Sequence, residues 1–538
     1  MTINATPVYF LYGPPGSGKT TLGRRLAERL GLPFVDLDER IVAHCGKSIP
    51  DIFTTEGEAA FREHESACIQ EILASGESVT ALGGGALVDE ANRALAEAGG
   101  TIICLEVPLE VLQERLRGAA DGRPLLRGED WPERLASLLE RRAAHYASFA
   151  MRVDASGSVE ETVRRIQTRL GAYRVRGMVG TGNAGGADGY DVRVLPGGID
   201  ALGAFFRRGN WGGPVALVTD DVVGPLHAGR AVRSLEESGY TVKRITLPAG
   251  EVHKTVATVE RLWDGFLEAG VDRSSTVVAL GGGVVNDLTG FAAATFLRGV
   301  HWVTLPSTLL CMADASLGGK TGADLPQGKN LVGAFYPPAL VLADPELLAT
   351  LPEAELRSGL GEVVKHGVLA DPELFELCAS GWQAVQGGDP AHPNWDELVR
   401  RAMAVKVAYI EADPLERGVR AALNLGHTVG HAVEVASGYR LRHGEAVAIG
   451  MVSEARLAER LGLAQTGLSC TIMKALQGLG LPVEVPAGLD ETLLKQSLKL
   501  DKKRAAGQVR FALPVRIGEV RTGVVIDLDR FQFHEEGA

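Results

Sequence analysis

The sequence predicts an α/β protein of three consecutive folded parts. The first is a P-loop α/β domain, a parallel sheet with helices on both faces. A Rossmann-like α/β domain follows, and a mainly helical metal-binding domain ends the chain. Three observations predict this. The 538 residues are too many for one core. An apolar, strand-like run that ends in glycines and passes into helical periodicity occurs twice, at Val8–Tyr12 and at Thr276–Leu280. From Pro345 onward the pattern is helical, with few β-branched runs before Val509–Leu513.

Composition narrows the class. Hydrophobic residues are 45% and charged residues 23%, an ordinary soluble-enzyme mix. The net charge of -12 disfavours nucleic acid or an anionic membrane as the main partner. The cysteines (Cys45, Cys68, Cys104, Cys311, Cys378, Cys470) form no CxxC pair, which argues against a disulfide framework or a cysteine zinc site. The N-terminus lacks a basic leader, and no apolar run is long enough to span a bilayer, so a reducing cytoplasm is the expected location.

In the first part, the strand Val8–Tyr12 runs into Gly13-Pro14-Pro15-Gly16-Ser17-Gly18-Lys19-Thr20, which satisfies GxxxxGK[ST] ahead of a helical pattern. Glycine backbone N–H groups can curl around phosphate oxygens, Lys19 adds positive charge, and the Thr20 hydroxyl can hold Mg²⁺. The strand Leu32–Leu37 ends in Asp36-Leu37-Asp38, and two carboxylates at that spacing on a strand point the same way. One suits a metal through water, the other a substrate hydroxyl. A helix carries Phe61-Arg62-Glu63. The strand Ser78–Leu82 enters Gly83-Gly84-Gly85, and Thr101–Val107 is a strand before a helix from Pro108. Gly122–Leu126 reads as a lid bringing Arg123 to the phosphates. Of Arg141 and Arg142, on a helix, one is expected to face the site.

The P-loop, DLDERI, the FR pair, LGGGA, GRPLL and RRAAHY, in this order, resemble shikimate kinase. The resemblance implies that Asp38, Arg62, Gly84 and Arg142 bind shikimate, with Asp38 orienting and deprotonating its 3-hydroxyl. It implies ATP at Gly16, Gly18, Lys19 and Thr20, and magnesium at Thr20 with Asp36 behind it. Arg123 would be the lid arginine, and Arg115 or Arg117 would contact adenine. Another small-metabolite kinase on this scaffold, such as a gluconate kinase, is the alternative.

Gly177–Gly189 is rich in small residues without apolar periodicity and reads as a tether. The expected division is 1–172, a linker 173–189, then 190–345 and 346–538.

In the second half, the strand Val215–Thr219 ends at Asp220-Asp221, where a carboxylate can hold a ribose hydroxyl. Leu247–Thr255 is a polar loop. After Thr276–Leu280, Gly281-Gly282-Gly283 opens a helix suited to a pyrophosphate. Arg298, the strand His301–Leu305, Ser307 and Thr308 follow. Asp314–Asn330 sets Lys320, Lys329 and Asn330 on glycine-rich loop backbone, which favours a phosphate-bearing substrate. Lys406 lies on a helix Trp395–Glu411. His427 and His431, four apart, share a helix face, and with His443 and Glu362 they suit zinc with an open position.

GEVHKT, GGGVVNDLTGF, LPSTLL, DASLGGKTG, GKNLVGAF, GEVVKHG, NLGHTVGHA, HGEAVAIG and DKK resemble 3-dehydroquinate synthase over nearly all of 190–538. By that resemblance Glu362, His427 and His443 hold zinc (or cobalt), and His431 is a substrate or proton-relay residue instead of a ligand. NAD is implied at Asp220, Glu251, Lys254, Gly282, Gly283, Val284, Asp287, Ser307 and Thr308, with Lys320 and Lys329 beside it. The substrate, 3-deoxy-D-arabino-heptulosonate 7-phosphate, would meet Arg298, Asp314, Lys320, Lys329, Asn330, Lys365, Lys406, Arg420, Asn424, His431 and one of Lys502 or Lys503. Asp314, Lys320, Lys365, Lys406 and His431 would act in catalysis. A homodimer through this half is implied as well. A sugar-phosphate cyclase with another product and a metal-dependent polyol dehydrogenase are the alternatives. So is a kinase half that only regulates the synthase.

Overall fold

The computed structural model describes residues 8–117, 128–176, 189–386, 393–504 and 509–526. The chain divides into two compact units, Met1–Arg174 and Val175–Ala538. The strand Ala172–Val175 occupies the first residues of the stretch read as a linker, and 177–188 lie outside the described residues. All six cysteines are free. Among the described residues no helix is long and apolar enough to cross a membrane.

The first unit is a five-stranded sheet in the order Phe34–Asp36, Ser78–Ala81, Val8–Tyr12, Gly100–Glu106, Arg152–Asp154, with every pairing parallel. Alternation along the central strand explains the layers. Val8, Phe10 and Tyr12 enter one apolar cluster with Phe61 and Ile69, while Tyr9 and Leu11 enter another with Leu22, Leu26 and Ile166. The expected strand Leu32–Leu37 is shorter: it ends at Asp36, and a helix Leu37–Cys45 begins. Asp36 is that helix's N-cap, its Oδ1 accepting the Asp38 N–H at 3.1 Å. An aspartate satisfies an orphan helix N–H better than it extends a strand. Asp36 and Asp38 are therefore not neighbours on one strand face; one sits at a strand end, the other on the helix.

In the second unit six strands run in the order Tyr190–Val194, Leu340–Ala343, His301–Pro306, Ser275–Gly281, Gly212–Asp220, Val242–Leu247, all paired in parallel. The stretch read as a lysine-bearing loop is instead an antiparallel hairpin, Lys320–Leu325 against Gly328–Phe335. Thr321, Gly322 and Ala323 of its first strand are all buried, and the ladder pairs Gly322 with Gly333, so these glycines serve close strand packing. Helices Glu353–Ala370, Pro393–Ala412, His427–Ala436, His443–Arg460 and Leu468–Gly478 follow. The apolar run near Val509 forms one arm of a hairpin, Arg510–Arg516 with Glu519–Val525.

Glycines let three of these helices touch backbone to backbone. A Cβ on Gly444 would lie 1.7 Å from the Ser358 carbonyl oxygen, and one on Gly450 would lie 1.9 Å from that of Gly426. Gly450→Ala should therefore destabilise the second unit by about 1–3 kcal/mol or more. Gly229→Ala, with open space and a helical φ of -61°, should be neutral or stabilising by up to about 1 kcal/mol. Denaturant titrations of the two variants test this, and equal midpoints would contradict it.

Candidate active sites

Those helix contacts assemble a cluster. Glu362 lies inside the helix Glu353–Ala370 and is fully buried, while His427 and His443 are the first residues of their helices. Glu362 Oε1 stands 3.5 Å from His427 Nε2 and 3.4 Å from His443 Nε2. The other ring nitrogens are held from behind: His427 Nδ1 donates to the Leu425 carbonyl at 3.1 Å, and His443 Nδ1 faces Glu434 Oε1 at 3.5 Å. Tethered Nδ1 atoms turn both Nε2 atoms inward, as metal-binding histidines require. Glu362 Oε1 has no hydrogen-bond partner among the described residues. A divalent cation with one open position fits this donor set.

Burial would raise the Glu362 carboxyl, yet the Lys365 ammonium and the two imidazoles hold it well below the usual carboxylate range. His443 is pushed up to about 10, the two flanking carboxylates overcoming burial. His427 is held well below the ordinary range by burial and Lys365. His431, on the same helix as His427, has its ring 5.2 Å from that of His427 but groups with Glu434 and His443 instead of Glu362.

Behind the cluster runs a chain of alternating charges. Lys365 contacts Glu362 Oε2 and lies 4.0 Å from Asp314 Oδ1, and Lys406 Nζ donates to Asp314 Oδ1 at 2.6 Å. Burial would raise the Asp314 carboxyl, but the two lysines hold it below its usual range. Arg420 is buried, donating to the Pro414 carbonyl, and a Cβ at Gly318 would meet its Nη2 at 2.3 Å. Lys320 pairs with Glu416. Asn424, exposed, ends the turn just before the first histidine helix.

The glycine turn after Ser275–Gly281 opens the helix Gly283–Thr295 with Gly282 as its N-cap and no side-chain cap, so the backbone N–H groups at Gly283 and Val284 can face an anion. Thr308 lies against Gly282, and the Ser307 hydroxyl is buried without a partner among the described residues. Lys254 Nζ donates to Asp287 Oδ2 and Asn330 Oδ1, both at 2.6 Å. Lys329 lies 3.5 Å from Glu251. Asp220 accepts the Val222 and Val223 N–H groups and caps its own turn. Arg298, exposed and at φ 69°, does not join these groups through any hydrogen bond or ion pair among the described residues.

In the first unit, Gly16 and Gly18 hold φ of 80° and 90°, which opens the loop. Lys19 Nζ donates to the Gly13 and Pro14 carbonyls at 2.9 and 3.0 Å, and the Thr20 hydroxyl donates to Asp36 Oδ2 at 2.9 Å. Four charged side chains converge on Gly83–Gly85. A Cβ at Gly83 would lie 3.3 Å from both Asp38 Oδ1 and Glu65 Oε1, and one at Gly85 would lie 3.2 Å from Arg62 Nη2 and 3.5 Å from Arg142 Nη2. Arg142 donates to the Gly84 carbonyl at 2.6 Å, whereas Arg141 is exposed and, among the described residues, donates to its own helix at the Ser137 carbonyl. Arg115 is engaged by the Ala155 and Ser156 carbonyls.

Comparison with known proteins gives families for both units. Residues 15–170 match the family shikimate kinase, 244–358 the 3-dehydroquinate synthase N-terminal family, and 359–504 the 3-dehydroquinate synthase C-terminal family. A 3-dehydroquinate synthase of Symbiobacterium thermophilum is 47% identical over 337 residues, 62% of this chain and 94% of that one. One from a Synechococcus species is 47% identical over 336 residues, 62% of this chain and 91% of that one. The chain belongs to the 3-dehydroquinate synthase family. Its first unit is a shikimate kinase domain, so one chain joins a kinase to a phosphate-eliminating cyclase. ValA, a 2-epi-5-epi-valiolone synthase from Streptomyces hygroscopicus subsp. jinggangensis solved with NAD⁺ and Zn²⁺ bound, has the same fold as the synthase half. It is 29% identical, with a TM-score of 0.58, covering 63% of this chain and 94% of its own.

Two residues escaped the sequence reading. In the synthase half His366 is fully buried, with neither ring nitrogen hydrogen-bonded among the described residues, and it lies close to Asp314 and Glu362. Burial and Lys365 push it down to about 3, so it stays neutral. In the kinase half Glu65 is buried, one helical turn from Arg62, whose Nη1 reaches its Oε2 at 2.5 Å. That spacing after Arg62 was the available signal. Arg123 and the side chains of Lys502 and Lys503 lie outside the described residues.

Burial pushes the Glu65 carboxyl from 4.5 up to about 7 against the pull of Arg62. A raised acid favours the folded state below its unfolded value, and that contribution is lost as pH rises through its folded one. Between pH 4.5 and about 7 the parent should therefore lose kinase-half stability relative to Glu65→Gln. Urea unfolding on either side of that window checks it; parallel pH profiles would refute it.

Proposed function

We propose that the kinase half transfers the γ-phosphoryl of ATP to the 3-hydroxyl of shikimate, and that the synthase half converts 3-deoxy-D-arabino-heptulosonate 7-phosphate to 3-dehydroquinate and phosphate. The observation that carries the synthase reading is the buried Glu362 carboxylate facing two imidazoles whose outer nitrogens are already tied.

In this reading Glu362, His427 and His443 would hold zinc or cobalt, and NAD would lie along the uncapped Gly282–Val284 backbone with Asp220 toward a ribose. Bound there, NAD would supply reversible hydride transfer at a ring carbinol and the cation would supply polarisation of its oxygen. The chain's own groups do the rest. Lys365, Lys406 and Arg420 line the site with buried positive charge, which binds a substrate bearing both carboxylate and phosphate and stabilises the departing phosphate. Asp314 orients Lys406 and Lys365. His431, beside His427, relays a proton. Lys320, Lys329 and Asn330 hold the phosphate from the hairpin, and Arg298 and Asn424 complete the pocket. Orientation and charge carry the reaction once the carbinol is oxidised.

In the kinase half Asp38 orients the attacking hydroxyl and accepts its proton, and Arg62 with Arg142 clamps the shikimate carboxylate beside Gly84. Gly16, Gly18 and Lys19 cradle the ATP phosphates, Thr20 and Asp36 would hold magnesium, and Arg123 meets the transferring phosphoryl. Free cysteines support a reducing cytoplasm as the compartment. The reading includes a homodimer through the synthase half.

Two measurements test the pair of activities. The purified chain should release phosphate from the heptulosonate phosphate with no net NADH absorbance; steady NADH formation would instead indicate a polyol dehydrogenase. Lys19→Ala should lower shikimate-dependent ADP formation by about 10²-fold or more while phosphate release continues. For the metal, His443→Ala should lose zinc, whereas His431→Ala should retain it and turn over slowly. The opposite pattern in zinc content would overturn the ligand set.

A further inference from the structure

The helix that starts at His427 has an unusual beginning. Its N-cap is Gly426, at φ 78°, which has no side chain with which to satisfy the first helical N–H groups. The acceptor comes from another helix. Glu454, on His443–Arg460, is fully buried and accepts the Gly426 N–H at 2.6 Å and the Val429 N–H at 3.3 Å. No cation pairs with it among the described residues, so ion pairing does not explain a carboxylate there. Burial pushes its carboxyl up to about 8 despite these donors, and an apolar side chain in its place would leave both N–H groups without an acceptor.

The contact falls at the hinge of the metal cluster. The Leu425–Gly426–His427 turn includes the carbonyl that holds His427 Nδ1. Gly450, one turn before Glu454, presses on the Gly426 carbonyl, so the turn is fixed from both sides. The helix that supplies Glu454 also begins with His443. One rigid element thus presents one donor at its first residue and, further along, grips the turn that aims the other.

We propose that Glu454 is a positioning residue for the metal site: it seats the N-terminus of the helix His427–Ala436 and thereby aims His427 Nε2 at the point shared with Glu362 and His443. The inference rests on the metal reading above. Gln at 454 keeps the shape but leaves one acceptor, setting its amide N–H groups against a backbone donor. Asp keeps the carboxyl group and withdraws it by one methylene.

Zinc affinity, measured by chelator competition on full-length Glu454→Gln, should weaken about 10–100-fold. The visible spectrum of the cobalt-loaded chain should change as well. NAD affinity and shikimate-dependent ADP formation by the same chain should match the parent. If Glu454→Gln does not fold, Glu454→Asp is measured in the same way. Parental zinc affinity in the folded variant, or loss of zinc together with loss of NAD binding, overturns the proposal. Zinc retained by His443→Ala would instead overturn the metal assignment itself.

Discussion

A fully buried carboxylate, Glu362, is the constraint around which the second unit is built. A lone charge at that depth is untenable, so the surrounding structure must supply positive partners within a few ångströms. Lys365, one turn on, is one such partner, His443 is another, and the His427 imidazole faces the same Oε1. Bringing three helices close enough needs backbone contact at their crossings, which explains glycine at 444 and 450, where any side chain would overlap a carbonyl oxygen. The unused valence of that carboxylate, between histidines already fixed from behind, is what makes the pocket a place for a cation. Asp314 extends the same logic outward: it lies between two buried lysines, accepting from Lys406 at 2.6 Å with Lys365 4.0 Å away.

The first unit meets a similar demand with a shallower solution. Its charged groups gather over Gly83–Gly85, where the absence of side chains lets Asp38, Glu65, Arg62 and Arg142 approach one ridge of backbone. Parallel strands bring their C-terminal ends to one edge, so the P-loop, Asp36 and the Gly83 turn lie together although far apart in the chain. The Thr20–Asp36 hydrogen bond ties the phosphate loop to the second strand. Glu65 shows what such crowding does to a carboxyl: it is nearly as easily protonated as not at neutral pH, while Arg62 beside it stays charged.

How far the sequence could be read depended on the range of the interaction. Strands with strong local apolar pattern and glycine exits, Val8–Tyr12 and Ser275–Gly281, fall where periodicity places them, within a residue or two. Boundaries failed where a capping bond competed, as when Asp36 ended its strand and started a helix. They failed again where glycine meant close packing instead of a loop: Gly322 and Gly333 lie opposite each other in the hairpin that the sequence suggested was irregular. His366 gave no local sign because what sets it apart is depth, a property that spacing does not report, and Glu65 gave only its spacing from Arg62.

The sequence by itself determined the chemistry that this chain brings: a phosphate loop, a glycine-opened helix for a second anion, and histidines with a carboxylate in an order matching known families. Those are local patterns, fixed by a few consecutive residues and their backbone needs. Only the tertiary structure decided which nitrogen of each histidine faces inward, which lysines are buried against Asp314, and which acceptor, Glu454, holds the turn before His427. Each of those depends on groups from separate helices arriving within hydrogen-bonding distance. That is set by how whole helices pack, and no short stretch of sequence contains it.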